Sequence, residues 1–143
     1  MKATLIISSI IIIVLLAGCQ SEQGDTMVLL DEKVKAIHIA ESNGLEDINT
    51  EILQTFLDEK SISLFEKAIW TAQKQSGQID VSEPEYDVMV EYDAGEGELP
   101  THEIHLWLGG ENERSTLMYI EDDEVYLTTP AITKKLRTLL MKE

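Results

Sequence analysis

The chain predicts an α+β domain: an antiparallel sheet of about five to six strands with two amphipathic helices packed on one face. Three observations carry that expectation. Two stretches repeat apolar residues at helical spacing, and four late stretches read as short strands, two of them alternating apolar and polar residues with a period of two. The turns between the late strands are short, which demands antiparallel pairing. Two one-sided helices then need a shared sheet face to cover their apolar stripes.

The elements follow in order. Val34 to Glu41 reads as a strand closed by the turn signal Ser42-Asn43-Gly44, and Glu51 to Leu57 as a second strand, although the same residues could begin a helix. In that second strand Ile52 and Phe56 are expected on one side, Leu53 and Leu57 on the other. Asp58 suits an N-cap, and Ile62, Phe65, Ile69 and Ala72 form a helical stripe running to about Gln75, with a stop at Ser76-Gly77. After Pro84, Tyr86, Val88, Val90 and Tyr92 alternate with Asp87, Met89, Glu91 and Asp93. His102 to Leu108 alternates again, followed by Ser115 to Ile120 and Val125-Tyr126-Leu127. Thr129 caps a last helix with Pro130 at its first position and Ile132, Leu136, Leu139 and Leu140 as its stripe. The predicted order is strand, strand, helix, four strands, helix.

Ahead of this domain lies a leader. Lys2 precedes an apolar run from Leu5 to Leu16, too short for a comfortable membrane span and ending in Leu16-Ala17-Gly18-Cys19. Those four residues match the lipobox of bacterial lipoproteins, which implies diacylglycerol transfer to the Cys19 thiol and cleavage before it. The alternative is an ordinary signal peptide or an uncleaved anchor, but the chain's single Cys falls where a lipobox needs it. Two acyl chains hold a protein on a membrane far better than one. The expected division is therefore a signal peptide at 1–18, the lipidated Cys and a polar tether at 19–27, and one α+β domain at 28–143. Eight residues of flexible tether span about 15 Å on average and at most about 28 Å. The expected location is the extracytoplasmic face of a bacterial cell membrane.

Composition narrows the partners. Loss of residues 1–18 leaves 10 basic and 27 acidic residues, a formal charge of −17. Nucleic acid is excluded as a partner, since phosphate binding needs clustered Lys and Arg. The net charge also argues against lying flat on anionic lipid. With Cys19 acylated no thiol remains for a disulfide, a thiolate metal site or a Cys nucleophile.

The ordered set of lipobox, tether, strand pair, the helix Ser61 to Ile69, Tyr86-x-Val88-x-Val90, Ile104-His105-Leu106-Trp107-Leu108 and Val125-Tyr126-Leu127 before a terminal helix resembles the small YhfM-like lipoproteins of Bacillus relatives. The resemblance spans most of residues 34–140 and rests on apolar pattern. It implies a Gram-positive cell-surface lipoprotein and carries over no catalytic residues.

Candidate sites are few. His102 and His105 have an H-x-x-H spacing, but on a strand that separation puts them on opposite faces, and nothing places His38 beside them, so no metal site is expected. The acidic stretches Asp93 to Glu98 and Glu121 to Glu124 could gather oxygens for calcium, yet neither follows the D-x-[DN]-x-[DN]-G register. No G-x-S-x-G, S-x-x-K or phosphate loop occurs, so no catalytic residues are expected; scattered carboxylates keep an envelope hydrolase as a remote alternative. If Tyr86, Val88, Val90, Ile104, Leu106 and Leu108 face the helices, the opposite face shows Met89, His105 and Trp107, with Tyr119 or Tyr126 beside them. Such a face suits recognition, unless the loop at 94–101 or Met27 to Leu30 folds back over it. The expectation is a non-enzymatic, cofactor-free binding domain, held on the membrane by its diacylglycerol and engaging an envelope protein or cell-wall component. A calcium-responsive domain is the alternative.

Overall fold

The computed structural model describes residues 25–77 and 79–142. Leu16, Ala17, Gly18 and Cys19 lie outside the described residues. Among the described residues seven strands form one antiparallel sheet: β1 (Val34–Glu41), β2 (Ile52–Phe56), β3 (Gln73–Lys74), β4 (Tyr86–Tyr92), β5 (His102–Trp107), β6 (Thr116–Tyr119) and β7 (Tyr126–Leu127). Their spatial order is β2-β1-β4-β5-β6-β7-β3. Helices α1 (Glu59–Thr71) and α2 (Pro130–Leu140) contact each other and share one core with the sheet.

Register explains the two faces. Ile37 pairs with Val90 and Ile39 with Val88; Val88 and Tyr86 pair with Ile104 and Leu106, and Leu106 with Leu117. This stripe packs against Ile62, Phe65, Ala68 and Ile69 of α1 and against Ile132, Leu136 and Leu140 of α2. Both helices thus cover one sheet face, as the periodicity predicts. Their starts are local chemistry. Asp58 accepts the Ser61 N–H at 2.9 Å, and Thr129 Oγ1 accepts the Ile132 N–H at 3.3 Å ahead of Pro130.

Three features differ from the sequence expectation. The first helix ends at Thr71, four residues before Gln75, because Ala72 is extended and fully buried and the next two residues become β3. Gln73 and Lys74 pair with Leu127 and Tyr126, and Gln73 also bridges Thr26. These ladder bonds replace the last helical turn, and the sheet gains a seventh strand. Gly77 does adopt a positive φ of 86°, but in the following loop and not as a helix cap.

In β2 the register shifts between Ile39 and Ala40, which pair with Gln54 and Ile52 respectively. Leu53 is the extra residue, so Ile52 no longer shares a side with Phe56. Phe56 turns inward onto Phe65, with ring centroids 5.7 Å apart, while Ile52 and Leu53 stay exposed on an edge strand.

The packed domain also begins earlier than residue 28. Asp25 O accepts the Lys74 N–H at 2.8 Å, and Met27 is buried among the core residues. Met27 to Leu30 does fold back, but over the helix side. The Tyr119 hydroxyl bonds both the N–H and the carbonyl of Val28, and the Leu30 N–H reaches the Tyr92 hydroxyl at 3.2 Å.

Candidate functional site

Alternation puts Met89, His105 and Trp107 on the sheet face away from the helices. His38 pairs with Met89, Met89 with Glu103, Asp87 with His105, and Trp107 with Thr116. The three expected residues do share that face, but they are not equally open. His105 is fully buried, whereas Met89 and Trp107 are half-buried.

The centre of the face is closed by two crossing segments, neither of them the ones expected. From the β1–β2 connection, the Asn49 N–H donates to Asp87 Oδ2 at 2.7 Å, while the Asn49 amide nitrogen donates to Glu41 O at 2.8 Å. From the segment before β4, Ser82 O accepts the Trp107 indole N–H at 2.8 Å, and the Ser42 N–H reaches Glu85 O at 3.2 Å. Beneath them lies the residue the sequence did not single out. Asp87 is completely buried, and its Oδ1 lies 2.8 Å from His105 Nδ1. Since the carboxylate accepts, Nδ1 carries the proton. The opposite ring nitrogen, Nε2, is buried and meets no hydrogen-bond partner among the described residues. Trp107 sits edge-on to the His105 ring, with centroids 6.2 Å apart. The arrangement is an aspartate-oriented imidazole with a free nitrogen, enclosed by protein.

Of the other histidines, His102 lies on the opposite face, as its spacing from His105 predicts, while His38 shares the far face beside Met89. His102 lies on the helix side, its Nδ1 2.5 Å from the Tyr92 hydroxyl, and burial holds it below the ordinary histidine range. His38 is on the far face, bridging Thr55 Oγ1 and Glu91 Oε2, each at 2.9 Å. Glu91 also takes the Lys35 ammonium at 2.8 Å; those hydrogen bonds, Lys35 first, hold its carboxyl below the usual range. Tyr119 and Tyr126 are not beside Trp107: they stack edge-to-face on the helix side, 6.2 Å apart. Tyr126 is pushed up to about 12 by burial and by the Glu124 carboxylate it bonds.

Two clefts open elsewhere. One of about 380 Å³ is lined by Glu41, Glu85, Tyr86, Leu108, Arg137 and Met141. In it Glu85 Oε2 accepts the Leu108 N–H and Arg137 Nη1 donates to Gly109 O. The other, about 490 Å³, lies among Asp25, Lys74, Gln75, Gly77, Asp123 and Glu124, where Lys74 pairs with Glu124. Neither cleft reaches Asp87 or His105. Among the described residues no three His, Cys, Asp or Glu side chains gather as a metal site requires, the two acidic stretches included.

A second buried cluster, of hydroxyls, is structural. Ser115, Thr128 and Thr133 are all enclosed; the Ser115 N–H donates to Thr133 Oγ1 at 2.7 Å, and its hydroxyl donates to Leu108 O at 2.7 Å. These hydroxyls tie β6, β7 and α2 together and satisfy one another.

Comparison with known proteins places the fold. No curated protein matches the chain. A crystal structure of a thioesterase-like protein from Clostridium sporogenes is similar, with a TM-score of 0.59 at 11% identity, covering 77% of this chain and 96% of that one. Likeness at that identity is likeness of fold. Residues 30–143 match the family described as YhfM protein, and the chain belongs to that family.

Proposed function

We propose that this YhfM-family chain is a lipid-anchored, non-catalytic binding domain on the extracytoplasmic face of a bacterial cell membrane. The anchor is read from Leu16-Ala17-Gly18-Cys19 behind an apolar run. The recognition surface is the sheet face on which Met89 and Trp107 flank the enclosed His105. The observation that carries the binding reading is the closure of that face at its centre. Asn49 and the backbone at Ser82 seal Asp87 and His105, so the couple stiffens a platform and offers the half-buried Met89 and Trp107 to a partner. Rigid aromatic and Met side chains of this kind are enriched at interfaces.

The test is cross-linking in intact cells with mass spectrometry of what co-purifies. Trp107→Ala should abolish capture of the partner and leave the secondary structure intact. Unchanged capture would remove this surface from the account.

A second reading, a thioester hydrolase, is favoured by the Asp87–His105 couple together with the thioesterase-like fold neighbour, and requires the segments at Asn49 and Ser82 to open over the couple. It predicts turnover of an acyl-thioester that disappears in Asp87→Asn while the thermal melt persists. Absence of turnover by the wild-type chain would dismiss it.

A further inference from the structure

The charge of this protein is strongly segregated. Residues 59–71 and 130–142, the two helices and the end of the second, hold Lys60, Lys67, Lys134, Lys135, Arg137 and Lys142 against only Glu59 and Glu66. That layer is formally +4, so the rest of a mature chain of −17 is −21. Lys60, Lys67, Lys134, Lys135 and Lys142 are exposed, and in that set Lys134 has a carboxylate nearby, Glu111 at 3.6 Å. Trp70 is 49% exposed on the same layer. Because α1 and α2 touch and cover one sheet face, their outer surfaces make one side of the molecule.

The chain enters the domain at the β3 edge of the sheet, next to the C-terminal end of α1. Asp25 bonds Lys74 and Thr26 bridges Gln73, directly beyond the end of α1 and within four residues of Trp70. From Cys19 to Asp25 the backbone reaches at most about 22 Å. We infer that the helix layer is the membrane-facing side of the anchored domain, with its lysines against anionic phospholipid headgroups and Trp70 in the interface. This rests on the lipid-anchor reading of Cys19. Net charge alone would repel the domain from an anionic leaflet, but an oriented domain presents its +4 helix layer to it first. Trp is the side chain best suited to the interface, an apolar body with one polar N–H. The same orientation turns Met89 and Trp107 outward, toward an envelope partner.

The two Trp residues mark opposite faces, and this makes the test direct. The full lipidated chain is reconstituted in vesicles of phosphatidylglycerol and phosphatidylcholine containing brominated lipid, as Trp107→Phe (Trp70 reporting) and as Trp70→Phe (Trp107 reporting). Trp70 emission should shift to the blue and be quenched, while Trp107 stays unquenched. Each lysine near an anionic surface favours contact about five-fold, so Lys60→Gln with Lys67→Gln should lower the ratio of contacting to released domain about 25-fold. High salt, or vesicles of phosphatidylcholine alone, should release Trp70 without altering the protein. Quenching of Trp107, of both, or of neither overturns the orientation. Partition of the same sample into a detergent phase separates this failure from the other: a detergent-phase chain with Trp70 unquenched is anchored but not so oriented, whereas an aqueous-phase chain refutes the anchor itself.

Discussion

At the residue scale the far sheet face is built around Asp87. Both its oxygens are engaged, Oδ1 by the His105 ring and Oδ2 by the Asn49 N–H, with no exposure to water. Removing the carboxylate strands the fully buried His105 donor, which carries its full desolvation cost, and the half-buried Asn49 N–H. Asp87→Ala should therefore lose about 3 kcal/mol in urea unfolding, and a loss below about 1 kcal/mol would contradict the arrangement. Acid should weaken the fold through different groups. Burial lowers His102 below its ordinary value of 6.5, so its contribution is present above that value and is lost as pH falls below it. The depressed Glu91 carboxyl adds a further loss through the carboxylate range, as Lys35 and His38 lose their acceptor. Thermal melts should fall from about pH 7 to pH 5, and His102→Gln should flatten that first slope. The sequence showed that His102 and His105 point to opposite faces, since a separation of three on a strand leaves no choice. It did not show that His105 meets Asp87, because cross-strand partners depend on register, which no local pattern states.

At the element scale the strongly periodic stretches were readable and the short ones were not. The alternation Tyr86 to Tyr92 and the stripe Ile62, Phe65, Ile69 each match one period and became β4 and α1. Asp58 and Thr129 cap as their chemistry predicts. Thr129→Ala should cost about 1 kcal/mol, seen as an earlier chemical-unfolding midpoint, while leaving α2 formed. The strand β3 was invisible because two residues carry no period; Gln73 and Lys74 become a strand only through Thr26 and β7, which lie far away in sequence. The same is true of the β2 bulge at Leu53, where pairing with β1 overrides the simple alternation of Ile52 and Phe56.

At the scale of the whole molecule, periodicity established one covered face but not the second. Helices announce the face they bury through their stripes, whereas the segments holding Asn49 and Ser82 are irregular and polar and carry no such mark. Charge behaves in the same way. A total of −17 suggests repulsion from membranes, and only the fold shows that the helices carrying Lys60, Lys67, Lys134 and Lys135 touch and share one layer. The proposed orientation of the helix layer depends on one covalent event at Cys19. The direct measurement is the intact mass and N-terminal sequence of the protein extracted from membranes of the cells that make it. The account predicts a chain beginning at Cys19 and carrying a diacylglyceryl thioether. A chain that retains Met1, or one with an unmodified Cys19 thiol, would contradict it.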